Sequence, residues 1–158
     1  MNGFLVDTNV PSELVRPQPE PRVEKWIAAQ NLDSSFMSTV SFGELRKGIV
    51  LLSPGKRRTE LESWIEADLP TLFSGRILSV TRSIAERWGV LDARRGRKLA
   101  GRPLNIACGV IAATALEHDL TVVTRNVKDF NQLGPTPSAI QSFLSRSRTL
   151  SRKRRTSG

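Results

Sequence analysis

Phe4-Leu5-Val6-Asp7-Thr8-Asn9-Val10 is the stretch on which the reading of this chain turns. Phe4 to Val6 form an apolar run of strand length, and an acid stands where the run stops. Thr8 and Asn9 can hydrogen-bond within a turn, and Pro11 suits the first turn of a following helix. In a parallel α/β sheet, ligands bind beyond the carboxyl ends of the strands, so Asp7 would point into a functional crevice. The competing reading is that Asp7 or Asn9 merely caps the next helix. The heptapeptide alone favours neither.

Working outward, Ser12-Glu13-Leu14-Val15 continues a short helix that Pro17, Pro19 and Pro21 end. Val23, Trp26 and Ile27 have the spacing of a helix with one buried stripe. Ser35-Phe36-Met37-Ser38 reads as a second strand, and Ser41-Phe42-Gly43-Glu44 opens a helix through Leu45, Ile49 and Leu52. Lys56 to Leu69 carries Leu61, Trp64, Ile65 and Leu69 on one face, with Pro70 as its predicted end. Arg76 to Val80 is a third strand. The next helix turns Ile84, Trp88 and Leu91 inward and ends in Arg94-Arg95-Gly96-Arg97-Lys98. Asn105 can cap a helix carrying Ile106, Val110, Ile111 and Ala115. Asp119 marks a turn, Leu120 to Thr124 is a fourth strand, and a short last strand falls near Ala139-Ile140. Strands alternating with helices predict an α/β sandwich with a mostly parallel sheet flanked by helices. Residues 1–141 form one folded domain on this reading. Residues 142–158, rich in Ser, Arg, Lys and Thr, are expected to be a basic, disordered tail.

Bulk properties narrow the function. The 158 residues suffice for one domain with a sizeable core. Cys108 is the only cysteine and His118 the only histidine, which excludes an intrachain disulfide and an all-protein structural zinc site. No apolar run approaches the roughly 20 residues that span a bilayer. The first strand starts almost at the N-terminus, so no leader peptide is expected and a reducing cytoplasm suits the chain. The net charge is +9, but Arg146, Arg148, Arg152, Lys153, Arg154 and Arg155 stand near the C-terminus without an acid. Residues 1–130 hold 18 basic against 15 acidic residues, a mild +3 compatible with a polyanionic partner. No glycine-rich loop follows a strand, which argues against nucleotide binding of the P-loop or dinucleotide type.

Three acids fall at strand ends or helix starts: Asp7, Glu44 and Asp129. In a parallel sheet these positions converge on one edge, where clustered carboxylates repel unless a cation neutralises them. Hard oxygen ligands suit Mg²⁺ or Mn²⁺, which lower the pKa of a bound water and polarise a phosphodiester. Each residue also has a plainer reading. Ser41-x-x-Glu44 matches a capping box. Asp129 could be a turn residue, with Asn126 competing for its role. His118, between two acids, suits a helix C-terminus.

In order along the chain, Leu5-Val6-Asp7-Thr8-Asn9, Phe42-Gly43-Glu44-Leu45, Gly109-Val110-Ile111-Ala112-Ala113-Thr114-Ala115 and Thr121 to Phe130 resemble the PIN-domain family. Within it they are similar to the VapC and FitB type toxins of bacterial toxin–antitoxin pairs. The resemblance spans about residues 4–140. It implies a three-layer PIN-like sandwich and a Mg²⁺-dependent endoribonuclease, dimeric and held inactive by a small antitoxin whose C-terminal segment enters the active-site groove. Family members cut tRNA or ribosomal RNA. By resemblance, Asp7 is the first acid and Glu44 the second. The fourth acidic position maps to Asn126 or Asp129. Thr8, Asn9 and Thr124 match the polar residues that support the carboxylates, and Arg125 is a candidate phosphate contact.

The third acid is the departure. It would directly precede the Gly109 run, where Cys108 stands, and no Asp or Glu lies between Asp92 and Glu117. One hard oxygen and one charge are lost from the metal site. A helix N-terminus lowers thiol pKa, yet a thiolate would favour soft metals over Mg²⁺. The favoured reading is an inert small residue that weakens metal affinity and turnover. An alternative follows: a catalytically impaired homologue that binds antitoxin and RNA as a regulatory component. Arg94, Arg95, Arg97 and Lys98 could hold RNA phosphates or form a solvated helix end. With three Trp and six Phe mostly at core spacings, no base-stacking platform stands out, nor does a DNA recognition helix.

Overall fold

In the computed structural model, which describes residues 3–29, 32–96, 105–133 and 140–142, all strand pairings are parallel and the order is β3-β2-β1-β4-β5. The strands are β1 (Gly3–Val6), β2 (Ser35–Ser38), β3 (Ile77–Leu78), β4 (Leu120–Thr124) and β5 (Ile140–Ser142). β1 is central because its alternating side chains find apolar cover on both faces. Leu5 joins one core with Ile84, Ile111, Leu120, Val122 and Phe130. Val6 joins the other with Val10, Val23, Met37, Leu45, Ile65 and Val123. That is the three-layer sandwich expected of a parallel sheet buried on both sides. Fully buried Leu5, Ile111 and Phe130 each contribute about 1.5–3 kcal/mol of apolar burial. Gly3 is required at its position: a Cβ there would lie 3.0 Å from both the Leu120 side chain and the Ser34 carbonyl oxygen.

The helices are α1 (Asn9–Leu14), α2 (Pro21–Ala29), α3 (Thr39–Val50), α4 (Lys56–Ser63), α5 (Leu69–Leu72), α6 (Arg82–Gly96), α7 (Ile106–Glu117) and α8 (Val127–Asn131). α7 is buried on every side from Ala107 to Ala115 and packs on α6, α3 and β4. Its Gly, Ala and Cys residues keep it thin enough to be enclosed. Asn105 caps it as expected, accepting from the Ala107 amide at 3.0 Å. Asp119 turns the chain into β4 at a φ of 51°.

Several local expectations are corrected. α3 starts two residues before Ser41, with Ser38 as its cap accepting from the Val40 amide at 3.3 Å. Ser41 is therefore inside the helix and buried, and no capping box forms with Glu44. Pro70 does not end its helix. A π turn over Trp64–Asp68, in which the Leu69 amide reaches the Trp64 carbonyl, restarts the helix. Pro70 then falls in the first turn of α5, where a missing N–H costs little. β3 covers only Ile77 and Leu78. The preceding Arg76 instead donates to the carbonyls of Ser35 and Leu72, each at 2.7 Å, and to that of Leu32. The expected tail lies outside the described residues except for Ser142, the last residue of β5.

The strand order reverses at β1, between β2 and β4. A crevice beyond the carboxyl ends of β1 and β4 is the ligand position that this topology creates.

Candidate active site

Asp7 stands at that crevice. Its amide donates to the Val123 carbonyl at 2.9 Å, extending the β1–β4 ladder by one bond, so its backbone is fixed by the sheet. The side chain is 5% exposed. Oδ1 accepts from the Thr8 amide at 2.7 Å. Oδ2 accepts from Thr124 Oγ1 at 2.6 Å and from Asn9 Nδ2 at 3.0 Å. Asp7 thus caps no helix; Thr8 occupies that position and makes no side-chain cap bond. Burial pushes the Asp7 carboxyl above its usual range, and the charge of Asp129 adds to the push. The bonds from Thr124, Thr8 and Asn9 act the other way and do not cancel it. The carboxylate therefore sits in a place short of positive charge.

Thr124 and Asn9 tie β4 to β1 at this point. Asn9 Nδ2 also reaches Thr124 Oγ1 at 3.3 Å, and Asn9 Oδ1 accepts from the Arg125 amide at 3.3 Å. Thr124 Oγ1 accepts from the Asn126 amide at 2.9 Å. Asn126 Nδ2 in turn donates to Asp129 Oδ2. Asn126 and Asp129 are accordingly partners rather than competitors: the amide holds the carboxylate, and the carboxylate carries the charge felt at Asp7.

Glu44 lies half-buried in α3 and, with Thr8, Ser12, Arg16, Arg57 and Trp64, lines a cavity of about 320 Å³. The Thr8 hydroxyl is buried and has no hydrogen-bond partner. Cys108, third in α7 and 6% exposed, belongs to the core cluster of Leu5 and Ile111. Its thiol is pushed up to about 12, first by burial and then by the charges of Asp7, Asp129 and Glu44. The direction is opposite to the lowering expected of a thiol at a helix N-terminus. Without a cation beside it, the Cys108 thiol is held in its protonated form at neutral pH.

Three acids spread over more than a hundred residues of sequence, Asp7, Glu44 and Asp129, thus act on the Cys108 thiol. Among the described residues no three of His, Cys, Asp and Glu are gathered tightly enough to enclose an ion by themselves. The donor chemistry nonetheless fits a hard divalent cation: a buried Asp7 carboxylate short of positive charge, and an unpartnered Thr8 hydroxyl in the cavity that Glu44 also lines. Mg²⁺ commonly takes one or two carboxylates and fills the remaining positions with water and substrate phosphate.

The basic candidates divide. Arg94 is exposed. Arg95 is not available to a phosphate: it is 5% exposed, its Nη2 donates to Gln132 Oε1 at 3.0 Å, and its Nε has no partner. The α6 stripe that buries Leu91 carries Arg95, four residues on, into the same interior. Arg97 and Lys98 lie outside the described residues. Arg125 is at the rim, its side chain 40% exposed, and donates to Glu13. Glu13 escaped the sequence reading. It is 2% exposed and also accepts from Arg16 Nη1 at 2.6 Å and from the Glu20 amide at 2.9 Å. Burial would raise its carboxyl, but the Glu20 amide, Arg16 and Arg125 together hold it below the usual range. The Glu13–Arg16 spacing was a visible hint; the partner 112 residues away was not.

Known proteins share this architecture. The PIN domain family matches residues 4–134. Toxin FitB of Neisseria gonorrhoeae is 40% identical over 127 residues, which cover 80% of this chain and 90% of that protein. The VapC ribonuclease Y4jK of Sinorhizobium fredii is 34% identical over 131 residues, covering 83% and 92%. The crystal structure of FitAcB from Neisseria gonorrhoeae superposes with a TM-score of 0.76 at 35% identity, covering 89% of this chain and 97% of that one. With the family match spanning most of the chain and two full-length relatives above 30% identity, this chain belongs to the PIN-domain family.

Proposed function

We propose that this chain is the toxin of a toxin–antitoxin pair and acts as a Mg²⁺-dependent endoribonuclease, with Mn²⁺ as a substitute ion. The observation that carries the reading is the buried Asp7 carboxylate at the crevice where β1 and β4 end, held there by Thr8, Asn9 and Thr124. Asp7 and Glu44 would hold the ion, with Asp129 as the further acid. When bound, a divalent ion supplies charge to a phosphodiester and lowers the pKa of a coordinated water. The chain's own residues do the rest. Thr8, Asn9 and Thr124 fix both oxygens of Asp7, and Asn126 holds Asp129, so these two acids are oriented by neighbouring side chains. The relatives named Toxin FitB and VapC ribonuclease support this assignment. Its partners would be a cognate antitoxin, an RNA such as tRNA, and a second copy of the chain, in the cytoplasm.

Cys108 motivates a second reading. A neutral thiol replaces a hard anion, so the chain could bind antitoxin and RNA while cleaving poorly or not at all. Both readings are tested by incubating the protein with total RNA and Mg²⁺ or Mn²⁺, beside Asp7→Ala. Cleavage lost in Asp7→Ala is the expected result. Cleavage that survives the substitution would sink the nuclease assignment. Silence from both proteins would favour the binding role.

A further inference from the structure

We infer that Glu13 is a positioning residue that holds the guanidinium groups of Arg16 and Arg125 at the rim of the site as a two-armed contact for RNA backbone phosphate. This rests on the nuclease reading above and adds to it the residue that aims the substrate contacts. One carboxylate, itself almost fully buried, accepts from both arginines through their Nη1 atoms. Its second oxygen is taken by the Glu20 amide at 2.9 Å, which leaves the carboxylate no freedom to turn. Both arginines meet the same oxygen, Oε1, but they come from different parts of the chain. Arg16 lines the cavity that contains Thr8 and Glu44. Arg125 begins the turn that carries Asn126 and Asp129, and its amide is tied through Asn9 to Asp7. Their side chains remain 56% and 40% exposed. Two cations against one anion leave a unit of positive charge at the rim, near the candidate acids. A polyanion approaching Asp7, Glu44 and Asp129 needs such a foothold.

A purely structural role does not account for the arrangement. Buried ion pairs are weak net stabilisers, and an apolar residue at this buried position of α1 would avoid the cost of desolvating a carboxylate. What the carboxylate supplies and an apolar side chain cannot is direction for two flexible, exposed arginines.

The test measures binding of a labelled single-stranded RNA oligonucleotide in EDTA across a salt series. It compares the parent with Glu13→Gln, alone and in an Arg16→Ala/Arg125→Ala background, and a thermal melt checks folding of each. Glu13→Gln is expected to bind roughly tenfold more weakly, and its plot of log affinity against log salt should flatten by about 0.7 for each phosphate that is no longer neutralised. In the double-alanine background Glu13→Gln should change neither quantity. A merely destabilised protein would lose active fraction without altering the slope. An unchanged slope, or equal loss in both backgrounds, would overturn the inference, as would absence of RNA binding by the parent. Cleavage with Mg²⁺ is scored separately. Salt-sensitive binding without cleavage would sink the nuclease reading and leave the arginine contact standing.

Discussion

Replacing Cys108 with aspartate puts back the hard anion that the PIN resemblance leads one to expect, and the structure sets the size of the consequence. The thiol's pKa is pushed from 9.0 to about 12. At about 1.4 kcal/mol per tenfold change in proton affinity, holding a negative charge at this position costs about 4 kcal/mol in the absence of a cation. For a domain of this length that corresponds to a melting temperature lower by about 10 °C. Cys108→Asp should therefore melt well below the parent in EDTA at pH 8. The deficit should shrink toward pH 5, as the new carboxyl takes up a proton. Mg²⁺ or Mn²⁺ should restore it, because a divalent ion seated among Asp7, Glu44 and Asp129 offsets most of their negative charge and can pair with the new carboxylate. Cys108→Asn, similar in shape and uncharged, is the control and should respond to neither pH nor metal. In the cleavage assay Cys108→Asp should exceed the parent in Mg²⁺. If Cys108→Asp and Cys108→Asn melt together in EDTA and neither responds to metal, the three acids do not act at this point and the proposed cation position is wrong. A metal response without higher cleavage would show that the position binds the ion but does not limit turnover.

Thr124→Val removes the donor at 2.6 Å from Asp7 Oδ2 and the acceptor of the Asn126 amide. Losing a hydrogen bond to a charged group costs about 1.5–3 kcal/mol. The Asp7 carboxyl should rise further, so Mn²⁺ titrated by calorimetry should bind more weakly and require a higher pH; identical isotherms would refute this. Glu13 behaves oppositely with pH. Its folded-state carboxyl lies below its ordinary 4.5, so its contribution is present above that value and is lost as pH falls through the depressed one. Urea melts of the parent and Glu13→Gln should differ most near neutrality and converge in acid; a constant difference would show that the charge of Glu13 contributes nothing.

The elements that were legible are those whose signals are local. β2 and β4 have the residue limits that their apolar runs suggest, and the Asn105 cap and the Asp119 turn depend only on neighbours in the chain. Pro70 misled because the π turn that accommodates it lies upstream, at Trp64–Asp68, and carries no sequence mark of its own. Ser41 misled because Ser38, three residues earlier, caps the helix just as well, and the choice between two serines depends on where β2 leaves the sheet.

The site divides along the same line. Asp7, Glu44 and Asp129, whose roles stand as proposals, could be named as candidates from position, because a parallel sheet sends the ends of its strands to one edge whatever lies between them. Arg95 and Glu13 could not, since burial of a charged side chain depends on partners remote in the chain. Gln132 is 37 residues from Arg95, and Arg125 is 112 from Glu13. Cys108 belongs to both groups. Its position before the Gly109 run followed from order along the chain, whereas its protonation state depends first on burial and then on the charges of Asp7, Asp129 and Glu44, which only folding assembles. Sequence can thus name which side chains reach a crevice of this topology. Their charge states, and hence whether the crevice demands a cation, are properties of the assembled interior.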